Sequence, residues 1–163
     1  MPLGGVVTLL ILLPNLLVVF FPVAGMPQAS VAGAGTKSKL THAMELVERV
    51  GQVSAFVVPF FYPLKVQGRL ETASLAGMIL ALFFYYLNWA RYALHGRTFR
   101  LLYQPCLGIP IPLAISPVIY FLAASLLFHS WILLAAAIML GIGHIYVSSL
   151  EWQRAKAPLE TVG

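Results

Sequence analysis

The sequence has no aspartate, one cysteine and few charged side chains, since Asp, Glu, Lys and Arg together make up 9% of its 163 residues. A catalytic pair of aspartates is therefore excluded, and only five glutamates remain for acid–base chemistry. Cys106 has no second cysteine to pair with, which excludes an intrachain disulfide and a zinc site built on paired cysteines. The charged fraction, against about 25% in soluble domains, excludes an ordinary water-exposed surface.

Motifs for catalysis and cofactor binding are missing as well. The sequence contains no Gly-x-Ser-x-Gly elbow, no phosphate-binding glycine-rich loop and no His-Glu-x-x-His zinc motif. Its four histidines show no clear metal-ligand spacing. We therefore predict no metal and no cofactor and assign no catalytic residue. A non-enzymatic function is favoured, and enzymatic activity is left open.

Apolar residues make up 60% of the sequence and form long stretches without a formal charge. These stretches are residues 1–36, 50–64, 72–90 and 101–150. A chain of this size cannot bury so much apolar surface in water, because small domains have a large surface for their volume. The sequence therefore predicts an all-α integral membrane protein, a single polytopic domain over residues 1–163, in a cytoplasmic membrane, either inner or plasma.

The predicted architecture is a compact bundle of five transmembrane helices, near residues 3–24, 46–64, 73–94, 108–128 and 130–150, with a polar cytoplasmic tail at 151–163. This topology divides the Lys and Arg residues eight to two between the two sides, whereas a re-entrant second segment would divide them five to five. The positive-inside rule favours the unequal division, with the N-terminus outside and the C-terminus in the cytoplasm. The eight are Lys37, Lys39, Arg49, Arg91, Arg97, Arg100, Arg154 and Lys156.

Three local features refine this topology. The first segment lacks the basic start of a secretory signal and is interpreted as a retained span. Thr41 is expected to cap the second helix, after a mobile cytoplasmic loop at residues 26–40. Pro117 lies in the middle of the fourth segment, so we predict a kinked helix that forms a pocket wall, or else a packed kink without a cavity.

The net charge of +5 comes from basic residues scattered in short segments beside apolar runs. That distribution is typical of topology signals rather than of a nucleic-acid interface, so we predict no nucleic-acid partner. The predicted partner is the lipid bilayer. A small-molecule or lipid ligand, a second copy of the chain and a partner subunit are further candidates.

Three polar stripes meet in the cytoplasmic half of the predicted bundle. Within each stripe the residues recur at spacings of three, four or seven, which puts them on one helix face. Charged groups in a membrane are costly and therefore point inward and pair, so we expect Glu48 to pair with Arg91, with Asn88 and His144 as hydrogen-bonding neighbours. The stripes form the predicted substrate-binding site: Glu48 and Gln52 from the second helix, Asn88, Arg91 and His95 from the third, and His144 and Ser148 from the fifth.

The same residues also have structural interpretations. Arg91 can be a topology anchor at the membrane surface, and His144 a packed residue within a helix. Asn15 in the first segment fits either hydrogen bonding between helices or a place in the site. The segments at 48–52 and 143–146 look specific enough to be signatures, but they indicate no particular activity.

Three classes of function are compatible with these observations. The favoured class is a carrier or binding protein for a small molecule or lipid, whose anionic group is received by the basic cytoplasmic residues. The second is an accessory or structural subunit of a larger membrane complex, in which the polar stripes only hold helices together. The third is a membrane enzyme acting on a lipid, with Glu48 or His144 as general base and Arg91 or Arg97 binding a phosphate.

Overall fold

A computed structural model describes residues 4–16, 20, 23 and 38–156 of the chain. These residues form helices and no β-strand. The six α-helices are α1 (Gly4–Leu12), α2 (Lys39–Val57), α3 (Arg69–Leu94), α4 (Phe99–Tyr103), α5 (Pro112–Leu127) and α6 (Trp131–Lys156). Two of them continue directly into 3-10 turns, α1 into Leu13–Asn15 and α2 into Val58–Phe61.

Each of the five predicted segments contains a helix, and the chain adds the short α4, which was not anticipated from the sequence. The start of the predicted polar tail differs from expectation, because α6 continues as helix to Lys156. Three further predicted parts of the chain lie outside the described residues. They are most of the first segment beyond residue 16, the loop at 26–37, and the tail from residue 157.

The start of α2 also differs from the sequence prediction. Ser38, not Thr41, is the N-cap, since the Thr41 backbone N–H donates to Ser38 Oγ over 3.1 Å. A capping oxygen accepts from an N–H two or three residues further on, so Thr41 occupies the position that is capped. The helix therefore begins at Lys39, before the predicted span, and its first turns carry polar residues.

The helices pack as antiparallel neighbours. α2 lies along α6, α3 along α5, and α5 along α6, while α4 rests on α6. The direction of the first pair follows from its contacts, because Glu48 meets Gly143, whereas the later Gly51 meets the earlier Leu140. The start of α2, the end of α3, α4 and the end of α6 thus share one end of the bundle, called the basic end below.

The described basic residues divide unequally between the two ends. Lys65 and Arg69 lie at the opposite end, around the start of α3. The other seven lie in the half toward the basic end: Lys39, Arg49, Arg91, Arg97, Arg100, Arg154 and Lys156. This separation corresponds to the division derived from the sequence, with Lys37 outside the described residues.

α1 is joined to its neighbours by side-chain hydrogen bonds. Pro14 has no backbone N–H, so the Leu10 carbonyl four residues earlier lacks its usual intrahelical donor. The Tyr86 hydroxyl of α3 donates to this carbonyl over 2.9 Å and replaces the missing bond. Three further bonds are Tyr120 Oη to Val7 O at 2.8 Å, Thr8 Oγ1 to Phe56 O at 2.9 Å, and Tyr85 Oη to Asn15 Oδ1 at 2.8 Å.

Much of the apolar surface of α3 and α6 is exposed. Both helices have 26 residues and are long and apolar enough to cross a membrane. In the most apolar 18-residue stretch of each helix, only 22% of the stretch in α3 and 39% of that in α6 is buried. A core helix of a soluble protein would be buried over most of this length, so both helices direct apolar side chains outward.

Candidate functional site

A cavity of about 210 Å³ lies between the helices. α5 forms one wall of it through Leu113, Ala114 and Pro117, together with its N-cap residue Ile111. The helix is continuous through Pro117, which is buried. The other lining residues are Ile11 and Asn15 from α1 and its turn, Gln52 and Phe56 from α2, Tyr85 and Trp89 from α3, Leu102 and Tyr103 from α4, and Leu140, His144 and Ser148 from α6.

The polar side of the cavity is built where α2 and α6 approach each other closely. A Cβ atom on Gly143 would lie 2.5 Å from the Glu48 backbone nitrogen, and one on Gly51 would overlap the backbone of Leu140. Only glycine at these two positions lets the helix backbones come so near. The two sequence segments that look like signatures, 48–52 and 143–146, are therefore in contact with each other.

Glu48 and His144 are paired across this helix contact. His144 Nδ1 lies 2.5 Å from Glu48 Oε1, and the two side chains are 27% and 16% exposed respectively. The expected Glu48–Arg91 pair is wrong, because among the described residues Arg91 donates to the Pro105 carbonyl, over 3.4 Å. The physical reason is that α2 packs along α6 rather than along α3, which makes His144 the neighbour of Glu48.

Three polar groups line the cavity with unused hydrogen-bonding capacity. Ser148 is only 5% exposed, and its hydroxyl has no partner among the described residues. Within the same part of the chain, the Gln52 amide and Nε2 of His144 also make no hydrogen bond. Gln52 and His144 are partly exposed, and all three side chains are therefore free to bond a molecule in the cavity.

The other side of the cavity is mainly aromatic. Phe56, Tyr85 and Trp89 line it, and the Tyr85 hydroxyl donates to Asn15 Oδ1 over 2.8 Å. The Trp89 indole nitrogen lies near the Tyr85 hydroxyl, but it donates no hydrogen bond of good geometry to any described residue. Walls of this kind favour a ligand with a flat or apolar body.

Tyr103 of the short helix α4 lines the cavity, and its pKa is shifted by the surroundings there. Burial raises the pKa of Tyr103 to about 12, and the negative charges of Glu151 and Glu48 act in the same direction. The phenol therefore stays protonated at neutral pH. No Lys or Arg is found among the described residues that line the cavity. The described basic residues that were expected from the sequence to receive an anionic group therefore lie outside this lining.

The connection from α4 to α5 holds its backbone in an unfavourable conformation. Leu107 and Ile111 have φ angles of 51° and 48°, in the left-handed region that residues with a side chain rarely adopt. Such a conformation costs roughly 1–3 kcal/mol and persists only where the surrounding structure imposes it. Here it places Ile111, which is 7% exposed, against the cavity at the start of α5.

Of the seven predicted site residues, Gln52, His144 and Ser148 line the cavity, and Glu48 contacts it through His144. The other three do not line it, and each bonds to a backbone carbonyl near the end of α3. Asn88 Nδ2 donates to Phe84 O over 2.8 Å, His95 Nδ1 lies 3.0 Å from Arg91 O, and Arg91 bonds to Pro105 O.

The aromatic lining residues were not recognised from the sequence as part of a site. Tyr85 and Trp89 belong to an aromatic run that was visible, but such a run usually indicates packing or a membrane interface. No sequence pattern indicated Tyr103 as a site residue, because the helix that carries it was not predicted. Asn15, for which two roles were open, fulfils both, since it accepts from Tyr85 and lines the cavity.

The described residues contain no group of three or more His, Cys, Asp or Glu side chains arranged to hold a metal ion. No protein-family model matches the chain, and neither a curated protein nor a solved structure matches it. The function must therefore be inferred from the chemistry of the cavity.

Proposed function

We propose that the chain is an integral membrane protein whose long helices form a transmembrane bundle in a cytoplasmic membrane. Two helices are long and apolar enough to cross a membrane, and α1 with its turn and α5 are shorter apolar helices. Large apolar side chains are exposed on α1, α2, α3 and α6, including Leu9 at 59%, Val53 at 62%, Phe83 at 60% and Ile132 at 64%. A continuous apolar surface of this extent is unsuited to water and suited to lipid.

The proposed orientation places the basic end of the bundle in the cytoplasm. Seven of the nine described Lys and Arg residues lie in that half, and Lys65 and Arg69 lie at the other end. The positive-inside rule then puts the C-terminus in the cytoplasm and the N-terminus outside.

Within this bundle, we propose that the cavity binds a small molecule or part of a lipid, which the protein holds or carries. The observation that carries this proposal is the set of unused polar groups on Gln52, His144 and Ser148 around a cavity that is otherwise apolar. An isolated polar group in a low-dielectric interior costs free energy, and a ligand that completes its hydrogen bonds removes that cost.

The size of the cavity limits the ligand. Its volume of about 210 Å³ exceeds the roughly 150 Å³ of a protein cavity known to hold benzene. A molecule of roughly six to ten non-hydrogen atoms fits by this measure, and so does one end of a longer lipid.

Native mass spectrometry of protein released from mild detergent tests the proposal. Ser148→Leu directs a larger side chain into the cavity, whereas Ser149→Leu alters the next residue, whose hydroxyl bonds to Ile145 O and which does not line the cavity. We expect the wild type and Ser149→Leu to retain a small molecule or lipid and Ser148→Leu to lose it. Bare wild-type protein, binding of a partner subunit alone, or equal retention by both variants would contradict the proposal.

A further inference from the structure

The pair of Glu48 and His144 determines which hydrogen bonds the cavity offers. A carboxylate can only accept hydrogen bonds, so the 2.5 Å contact places a proton on Nδ1 of His144. The neutral imidazole then has an unprotonated Nε2, which is an acceptor. His144 lines the cavity, and Nε2 has no partner among the described residues. The cavity thus presents an acceptor that needs a donor from the ligand.

Gln52 and Ser148 provide the complementary groups beside this acceptor. The Gln52 amide has two N–H donors, and the Ser148 hydroxyl has one O–H donor. Both residues line the cavity, and neither side chain is hydrogen-bonded to a described residue. Both side chains can also accept, Gln52 through Oε1 and Ser148 through Oγ, so one side of the cavity offers hydrogen-bond donors and acceptors from two adjacent helices.

A hydroxyl group fits this arrangement better than the other common polar groups. It donates one hydrogen bond and accepts up to two, which matches His144 together with Gln52 or Ser148. A carbonyl can only accept and an ammonium can only donate, so each of them uses one kind of group in this set, whereas a hydroxyl uses both. A carboxylate would meet no Lys or Arg in the cavity lining among the described residues.

We infer that the cavity selects a small, mainly apolar molecule by its hydroxyl group, with His144 accepting the hydroxyl proton in a hydrogen bond and Glu48 positioning the imidazole. The inference rests on the proposed function and specifies the ligand class of the same cavity. The aromatic side chains of Phe56, Tyr85 and Trp89 pack against the apolar body of the ligand. A monocyclic phenol or alcohol satisfies both the size and the chemistry.

Fluorine NMR with 4-fluorophenol and 4-fluoroanisole measures this selectivity directly. The two probes have nearly the same apolar body, but only the phenol can donate a hydrogen bond. We expect the wild-type protein in detergent to bind the phenol about tenfold more tightly than the anisole, the size of one good hydrogen bond. Binding to empty micelles is measured separately and subtracted, and Ser148→Leu should abolish the remaining signal of both probes.

Two variants identify the residues that recognise the hydroxyl. His144→Phe keeps a ring of similar size but removes the acceptor, and it should reduce the preference for the phenol to about onefold with little change for the anisole. Glu48→Gln removes the charge that holds the proton on Nδ1, and it should lower the preference to about threefold. His129→Phe and Glu71→Gln alter the other glutamate–histidine pair, at the opposite end of the bundle, and should leave the preference unchanged.

The possible results distinguish failure of hydroxyl selection from failure of ligand binding in the cavity. Equal binding of both probes to the wild type, abolished by Ser148→Leu, would overturn hydroxyl selection while supporting a ligand-binding cavity. A preference for the phenol that persists in His144→Phe would overturn the role of His144. Absence of saturable binding of either probe to the wild type would overturn the inference and count against the binding cavity as well.

Discussion

Two glutamate–histidine pairs lie at different levels of the same bundle, one near the middle of α2 and α6 and one at the end opposite the basic end. Glu48 and His144 are 2.5 Å apart between α2 and α6, and Glu71 and His129 are 2.8 Å apart between the start of α3 and the turn after α5. The carboxylates are covered about equally, at 16% and 17% exposed, but the histidines differ, at 27% and 62%. The same two side chains thus occur in a packed helix contact and in an exposed turn.

The two pairs therefore differ in their surroundings rather than in their chemistry. At the exposed turn, His129 uses Nε2 for the bond to Glu71, and most of its ring faces outward. At the packed contact, His144 uses Nδ1 and lines a cavity beside two further polar residues. The Glu71–His129 pair joins a turn to a helix beside a second pocket, which His129 lines with Ser125 and Ser130, whereas the Glu48–His144 pair borders the cavity that we propose binds a ligand.

The largest effect on stability is expected from a substitution that separates Glu48 from His144 sterically. In Gly143→Ala the new Cβ would lie 2.5–2.6 Å from backbone atoms of Glu48, so α2 and α6 must move apart. We expect the free energy of unfolding to fall by about 2–3 kcal/mol, as for overpacked cores. Thermal unfolding in detergent, calibrated against denaturant, measures the change.

The matched control for this substitution is Gly77→Ala. Its Cβ would lie 3.7 Å from the Ala123 Cβ, which is an ordinary contact. Because alanine favours helix more than glycine does, we expect a gain of about 0.5–1 kcal/mol instead of a loss. Similar effects of the two alanines would show that the contact between α2 and α6 is not tight.

A smaller effect is expected when the charge is removed without changing the shape. Glu48→Gln leaves His144 with a neutral partner in a half-buried contact, and stability should fall by about 1–2 kcal/mol. A double-mutant cycle with His144→Gln should give a coupling of about 1 kcal/mol, since the two side chains bond directly. Strict additivity in denaturant unfolding would show that the two side chains do not stabilise each other.

The smallest effect on stability is expected at the Glu71–His129 pair. Glu71→Gln changes a pair whose histidine is mostly exposed, and pairs of this kind contribute little because solvent screens them. We expect no measurable shift of the unfolding midpoint at either low or high salt. A decrease as large as that of Glu48→Gln would mean that the turn after α5 is essential to the bundle.

The helical class and part of the site could be predicted from the sequence. Long charge-free runs favour helix, because a helix satisfies its backbone polar groups within the segment itself. The alternating direction of successive helices then brings Gln52, His144 and Ser148 to one level of the bundle. These three residues line the cavity of the structure.

The pairing of side chains could not be predicted, because it depends on which helices are neighbours. The sequence of α2 fits packing on α3 as well as on α6, and the first choice produced the incorrect pair of Glu48 with Arg91. Gly51 and Gly143 were the available signal, since facing small residues permit a close helix contact. Tyr103 was not predicted as a lining residue, because a helix as short as α4 leaves no periodic pattern in the sequence.

The hydrogen bonds of α1 have a consequence for biosynthesis. The Leu10 carbonyl, freed by Pro14, receives its donor from Tyr86, and Val7 is bonded by Tyr120. Translation proceeds from the N-terminus, so α1 leaves the ribosome long before either tyrosine has been made. In a bilayer an unbonded carbonyl is costly. α1 therefore acquires these two hydrogen bonds only after α3 and α5 have been made.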